Sequence, residues 1–167
     1  MREVPRNNSL KREIKRLLEL CNKDEKDKGE RRDYFREPVT EDEMEDWEER
    51  NGCKIPESYK EWLRFSGECR IAGNAATFWG PSEFHSDHVP EDLVAIGEIL
   101  GDGEVVCFSK NTGVFVRVSE GETAETDDFG GVLRAIIKLL DDKPILSEER
   151  YLEIMQKIRE KRAMENR

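Results

Sequence analysis

Residues 39–67 read VTEDEMEDWEERNGCKIPESYKEWLRFSG, and this stretch predicts two short helices joined by a tight turn. Thr40 is a candidate N-cap because Glu43 follows three residues later, the spacing of a capping box in which each side chain bonds the backbone N–H of the other residue. The first helix should end at Gly52, since glycine adopts the left-handed cap conformation without steric cost. Pro56 suits the start of the second helix, where its missing N–H would have no partner.

The apolar residues of this stretch fall on one face of each predicted helix. Met44 and Trp47 lie three apart in the first helix, whose remaining positions are almost wholly charged. Tyr59, Trp62 and Leu63 form the corresponding stripe in the second helix. This spacing predicts two amphipathic helices that bury their aromatic residues in a shared core.

After the helical pair, the chain changes to short runs rich in Val, Ile and Phe, separated by Gly, Pro and Asp. Such runs are typical of strands joined by turns. The predicted strands are residues 70–72, 77–79, 93–96, 104–108 and 114–118. In the last of them the valines at 114, 116 and 118 alternate with Phe115 and Arg117. The alternation predicts an antiparallel sheet with one face on the core and the other facing outward or against a partner.

A further helix is predicted to begin near Asp127 and Asp128, whose side chains can cap it and favour its dipole. Its apolar stripe consists of Phe129, Val132, Leu133, Ile136, Ile137 and Leu140. Before this helix lies a short acidic stretch that contains Glu120, Glu122 and Glu125.

The helical pair resembles the opening of the SMI1/KNR4 family of the SUKH superfamily. The residues that match its pattern are Trp47, Glu48, Gly52, Ile55, Pro56, Tyr59, Leu63 and Gly67. The run around Gly97, the strand at 113–118 and the closing helix extend the resemblance over residues 38–142. It implies an α+β fold, in which the closing helix covers one side of the sheet after a short acidic loop, and a protein-binding role. Many bacterial members are immunity proteins that neutralise a cognate toxin, often a nuclease, and eukaryotic members are regulatory scaffolds.

Charge divides the chain into three parts. Residues 39–146 hold 24 acidic and 10 basic side chains, a net charge of −14, whereas the flanking segments are mildly basic. Nucleic acid is a poor partner for the acidic part, since binding it requires Lys and Arg against phosphate. A basic protein is a better partner, and the family resemblance implies that this partner is a toxin domain. The candidate partner-binding residues are Trp79, Glu98, Asp102, Glu104, Glu120, Glu122 and Glu125.

The predicted organisation is a charged helical extension and linker at 1–37, an SMI1/KNR4-like domain at 38–146 and an amphipathic helix at 147–167. Ser9 is a candidate cap for the first helix, and residues 22–37 are interpreted as a mobile linker or a solvated helix end. The apolar stripe of that helix is Leu10, Ile14, Leu17, Leu18 and Cys21. It is expected to dock on the domain or on another copy, with a membrane surface as the alternative.

The last helix has Ser147 as its candidate cap. Its apolar side is formed by Tyr151, Leu152, Ile154, Met155 and Ile158. Two interpretations of this helix are open. It packs on the domain or the first helix, or the two flanking helices join copies into a homo-oligomer.

The sequence offers no catalytic residue, cofactor motif or strong metal site. His85-Ser86-Asp87-His88 could place two imidazoles near a metal, but no further ligands accompany it, and Asp102-Gly103-Glu104 lacks the other ligands of a calcium loop. Glycine-rich phosphate loops and nucleophile elbows are absent from the sequence, and the four cysteines are scattered. We therefore expect a cytoplasmic binding protein that is not an enzyme and does not associate with membranes.

Overall fold

The strands of this computed structural model, which describes residues 3–73, 75–99, 103–142 and 148–165, form one antiparallel sheet. Each strand pairs with its neighbours in sequence, so the sheet order follows the chain from β1 to β7. The strands are β1 (Tyr34–Phe35), β2 (Cys69–Ile71), β3 (Ala76–Phe78), β4 (Leu93–Ile99), β5 (Glu104–Ser109), β6 (Phe115–Ser119) and β7 (Glu122–Thr126). A one-residue irregularity between Ala95 and Gly97 shifts the pairing of β4 with β5.

Four helices pack on one face of this sheet, which we call the helix face, and a fifth follows them. The helices are α1 (Lys11–Lys28), α2 (Glu41–Asn51), α3 (Glu57–Phe65), α4 (Phe129–Asp142) and α5 (Glu148–Glu165). Residues from α1 to α4 share one buried cluster with β2 to β6. The α+β class and the antiparallel sheet predicted from the sequence are therefore confirmed.

Phe129 stands at the centre of the core. Its ring centroid lies 4.8 Å from that of Tyr59, 5.0 Å from Phe78 and 5.6 Å from Trp62. The angles between these rings are steep, a geometry that aromatic pairs prefer over face-to-face stacking. One residue at the start of α4 thus joins α3 and the sheet.

The local signals for the helical pair are confirmed. The Thr40 hydroxyl accepts a hydrogen bond from the Glu43 N–H at 3.2 Å, and the Glu43 carboxylate accepts one from the Thr40 N–H at 2.8 Å. Gly52 ends α2 in the left-handed conformation with φ 63°. Pro56 immediately precedes α3, and the predicted aromatic stripe of that helix is buried.

Two strands were not predicted. β7 occupies part of the segment expected to be an acidic loop, so the loop prediction for Glu122 and Glu125 is wrong. Its sequence, Glu-Thr-Ala-Glu-Thr, has no run of large apolar residues, and it becomes a strand by pairing along its full length with β6. β1 is only two residues long and lies within the segment interpreted as a linker or helix end.

The N-terminal segment differs from its prediction in detail. Ser9 does not cap α1; the Asn8 side-chain oxygen accepts a hydrogen bond from the Leu10 N–H at 2.8 Å instead. α1 continues to Lys28 and ends at Gly29, with φ 74°. Its apolar stripe is buried with α4 and the sheet, so the helix docks on the domain.

The C-terminal helix α5 keeps large apolar side chains in solvent. Leu152 is 58% exposed, Ile158 40% and Met164 76%. None of its described side chains belongs to the buried core, so packing of this helix on the domain is not seen in the described residues. Ser147 lies outside the described residues, as do the side chains of Tyr151 and Ile154.

Candidate protein-binding face

The side of the sheet opposite the helices, here called the open face, carries its own apolar cluster. Its buried centre is formed by Leu93, Ala95, Cys107 and Val116, and partly exposed residues surround it: Trp79, Val89, Val105, Val114 and Val118. No described helical residue belongs to this cluster. The open face therefore presents apolar surface that the helices of the domain do not cover.

Strand alternation explains why both faces of the sheet are apolar. In β5 the side chain of Phe108 joins the core on the helix face, whereas Val105 and Cys107 point to the open face. Cys107 pairs with Val116 and Val105 pairs with Val118 across β5 and β6, and paired residues share a face. The valine alternation predicted for β6 is thus present, and it continues into β5.

Trp79 and His85 stack at one side of the open face. Their ring centroids are 5.2 Å apart at an angle of 37°. The Trp79 N–H donates to the Ile96 carbonyl at 2.8 Å, and His85 pairs with Ala95 through an isolated bridge. Both rings therefore lie beside β4, where the Trp79 ring is partly exposed.

Tyr59, in the core on the helix face of the sheet, forms a hydrogen bond with the backbone of Trp79. Its hydroxyl donates a hydrogen bond of 2.7 Å to the Trp79 carbonyl oxygen. Burial raises the pKa of Tyr59 well above its usual range, so the phenol remains a neutral donor. This bond links a residue of the family motif to the position of Trp79.

Replacing Tyr59 with phenylalanine is expected to lower the free energy of unfolding by about 1–3 kcal/mol, because the partly buried Trp79 carbonyl loses its donor. Urea unfolding followed by circular dichroism measures the change. Tyr34→Phe is the matched control, since the Tyr34 hydroxyl bonds Glu68 at the surface, and its effect should stay within about 0.5 kcal/mol. Equal effects from both variants would show that the Trp79 bond contributes nothing.

The structure brings three of the candidate partner-binding residues together. Glu98 pairs with Thr77 and Val105 and so lies on the open face, half-buried. Glu125 pairs with Val116 and lies on the same face, exposed on β7. With Trp79 they place an aromatic ring and two carboxylates around the apolar cluster.

The other candidates lie elsewhere. Glu104 is on the helix face, where its carboxylate pairs with Arg117 at 3.3 Å. Glu122 begins β7 with its side chain on the helix side, and Glu120 occupies the preceding turn with φ 37°. Asp102 lies outside the described residues.

Sequence reasoning missed the valines and leucine that make the open face apolar. Val105, Val118 and Leu93 were assigned to strands but not to a site. The signal available in the sequence was that both alternating sets of residues in β5 and β6 include apolar side chains. A strand with two apolar faces needs something to cover each of them. The positions of Val89 and of the His85 ring on the open face depend on how the loop before β4 folds back, and no local sequence pattern predicts that fold.

A groove of about 880 Å³ lies beside α2. Several of its polar groups are already engaged within the chain. Glu43 caps α2, Glu68 accepts hydrogen bonds or ion pairs from Tyr34 and Arg36, and Arg50 donates to the Asp46 carbonyl. The groove is therefore a weaker candidate than the open face.

The described residues give no support for a metal site or for a reactive thiol at Cys107. No three His, Cys, Asp or Glu side chains among them are grouped to hold a metal ion. His85 stacks on Trp79, while His88 is exposed with φ 63°. Burial raises the pKa of the Cys107 thiol to about 12, so the reactive thiolate does not form near neutral pH.

Within the same described residues, no helix is both long and apolar enough to cross a bilayer.

The family-motif residues hold the helical pair together. Glu48 is 6% exposed, and its carboxylate accepts the Ile55 N–H at 2.8 Å and the Lys60 ammonium at 3.2 Å. A Cβ on Gly67 would lie 2.8 Å from the Glu37 carbonyl oxygen, so that position requires glycine. These residues fix the scaffold, and none of them belongs to the open-face cluster.

An antiparallel sheet with a helix layer on one side and an apolar open face on the other defines an α+β domain suited to binding. The family model described as SMI1 / KNR4 family (SUKH-1) matches residues 38–133, more than half of the chain. The chain therefore belongs to the SMI1/KNR4 family, whose domains are generally non-catalytic. No curated protein matches the chain significantly.

Proposed function

We propose that this protein is a non-enzymatic binding domain and serves as an immunity protein against a basic, nuclease-type bacterial toxin. The observation that carries the proposal is the open-face cluster, which leaves Trp79, Val105 and Val118 partly exposed on a rigid sheet. Contiguous apolar surface of this kind marks an interaction site when polar residues surround it.

The residues of the open face match the composition of protein–protein interfaces. Aromatic residues are enriched at the centres of such interfaces, and tryptophan often supplies much of the binding energy. The Trp79 N–H donates to the Ile96 carbonyl and its own carbonyl accepts from the Tyr59 hydroxyl, while its ring contacts His85, so a partner meets a pre-positioned ring. Little ordering entropy is then lost on binding.

The charge of the domain favours a basic partner. Glu98 and Glu125 border the apolar cluster, and the 39–146 segment carries 14 more acidic than basic side chains. Complementary charge accelerates encounter with a positively charged protein. A nuclease needs a basic cleft for its phosphate substrate, so an acidic domain seated over that cleft would block substrate entry.

Affinity capture from the source cells tests this function. Tagged protein should retain one stoichiometric basic partner with a toxin domain, and co-expression should abolish the toxicity of that partner. Association should slow several-fold between 50 and 500 mM salt, because salt screens the attraction between exposed charges. A captured partner that remains toxic in co-expression would contradict the immunity role.

A regulatory scaffold is the second candidate function. The exposed Leu152 and Met164 of α5 favour it, since they offer binding surface separate from the sheet. A scaffold would retain several unrelated partners in the same capture, and removal of residues 148–167 would release some of them. An immunity protein would keep its single partner after this truncation.

A further inference from the structure

The outer edge of β7 is the long unpaired edge of the sheet. β7 is five residues long and pairs with β6 from Glu122 to Thr126. The opposite edge strand, β1, has only two residues. Apart from the β6 ladder, the backbone of residues 122–126 makes no hydrogen bond to the described part of the chain. Its outward N–H and C=O groups are therefore free to pair with another strand.

The side chains along this edge are exposed and acidic. Glu122, Thr123 and Glu125 are all exposed, with Glu122 on the helix side and Glu125 on the open face. Residues 119–128 include five acidic side chains and neither lysine nor arginine. Of these five, only Asp128 has a described ion-pair partner, Arg134 at 3.8 Å. The edge thus combines unpaired backbone with uncompensated negative charge.

Charge also decides which strand can pair here. A second copy that paired through its own β7 would bring four glutamates into one two-stranded ribbon, and like charges on neighbouring strands are destabilising. A strand with lysine or arginine opposite Glu122 and Glu125 would gain both the backbone ladder and two ion pairs. The occupant must therefore be extended and basic.

We propose that β7 binds an extended basic segment of the protein partner as an eighth strand of the sheet. This inference rests on the proposed function, in which the partner is a basic protein, and adds the binding mode. β-strand addition draws affinity from main-chain hydrogen bonds and specificity from alternate side chains. The added strand continues the open face beyond Thr123 and Glu125, so a partner that also contacts the apolar cluster would reach it from this edge.

A peptide titration tests the proposal without the partner. The probe is acetyl-Thr-Lys-Val-Thr-Lys-Val-Thr-amide, whose lysines are three residues apart like Glu122 and Glu125. Two control peptides accompany it, one with glutamate in place of lysine and one N-methylated at alternate residues. The N-methylated peptide keeps the charge but cannot form the full ladder. Binding is measured by ¹H–¹⁵N NMR and by hydrogen exchange of the backbone amides.

The lysine peptide is expected to shift the amides of residues 122–126 and to slow their exchange at millimolar concentration. Both control peptides should bind at least fivefold more weakly. In E122K/E125K the preference should reverse, so that the glutamate peptide binds better than the lysine peptide. E45K/E49K makes the same charge change on exposed positions of α2 and should bind the lysine peptide like the wild type.

Three results would overturn the proposal: equal binding of the N-methylated peptide, shifts confined to residues outside β7, or no binding of the lysine peptide at 10 mM. If E122K/E125K does not fold, the titrations of the wild-type protein with the lysine peptide and the two control peptides test the proposal without it. A negative titration removes strand addition only, since capture of a basic partner from cells tests the proposed function separately.

Discussion

Replacing Glu48 with alanine is expected to lower the free energy of unfolding by about 3–5 kcal/mol, the cost of breaking a buried ion pair by removing one partner. The Glu48 carboxylate is the acceptor for the Ile55 N–H and lies 3.2 Å from the Lys60 ammonium. Without it, a buried backbone donor and a half-buried ammonium lose their partner together. The turn between α2 and α3 depends on this one side chain.

Equilibrium urea unfolding measures the Glu48 effect. Glu45→Ala on the exposed side of α2 is the matched control and should change the free energy of unfolding by less than about 0.5 kcal/mol. Glu48→Gln should fall between the two, since an amide oxygen can still accept the Ile55 N–H but carries no charge for Lys60. A loss below 1 kcal/mol for Glu48→Ala would refute the structural role of this motif residue.

Gly97→Ala is the second substitution with a large expected effect. A Cβ at this position would lie in hard contact with the Thr77 carbonyl oxygen and 2.5 Å from the Phe78 ring. Both obstacles belong to β3, the strand paired with this part of β4, so the backbone itself would have to move. Overpacking of this kind costs about 1–3 kcal/mol, and the fixed carbonyl places Gly97→Ala at the upper end.

The midpoint of thermal unfolding should fall by roughly 4–12 °C in Gly97→Ala, given about 2–4 °C per kcal/mol for a chain of this size. Gly80→Ala is the matched control, because the nearest atom to its added Cβ is a Val39 methyl at 3.8 Å. The control should unfold within about 2 °C of the wild type. If the two glycine variants unfold together, the β3–β4 contact is looser than the structure shows.

Local chemistry explains which elements the sequence could predict. The cap at Thr40 and the stop at Gly52 depend on residues within four positions of each other, so the helical pair could be placed from sequence. β7 could not, because Glu122 and Thr126 become strand residues only through β6. Residues 22–28 form the charged end of α1, one of the two interpretations that the sequence left open, and contacts such as Arg32 with Asp24 at 2.9 Å hold this end in place.

The residues of the candidate site also divide into those that the sequence could identify and those that it could not. Trp79 could be selected because a large aromatic at the end of a strand is an unusual surface residue, and Glu98 and Glu125 lie beside the same cluster. Glu104 was chosen on charge alone, and the sequence could not show that Arg117 neutralises it from the next strand. The net charge of the domain indicates what kind of partner to expect. The register of the strands decides which carboxylates lie on the face that such a partner would contact.

The most direct test of the account is a growth-rescue assay with the captured toxin and a variant of the open face. Val118→Lys places a positive charge in the partly exposed rim of the cluster, where a basic partner would meet it. Asn22→Lys makes the same charge change on α1, in the helix layer. Circular dichroism and unfolding midpoints verify that both variants fold. The account predicts that wild type and Asn22→Lys restore growth while Val118→Lys fails; full rescue by folded Val118→Lys would contradict binding through the open face.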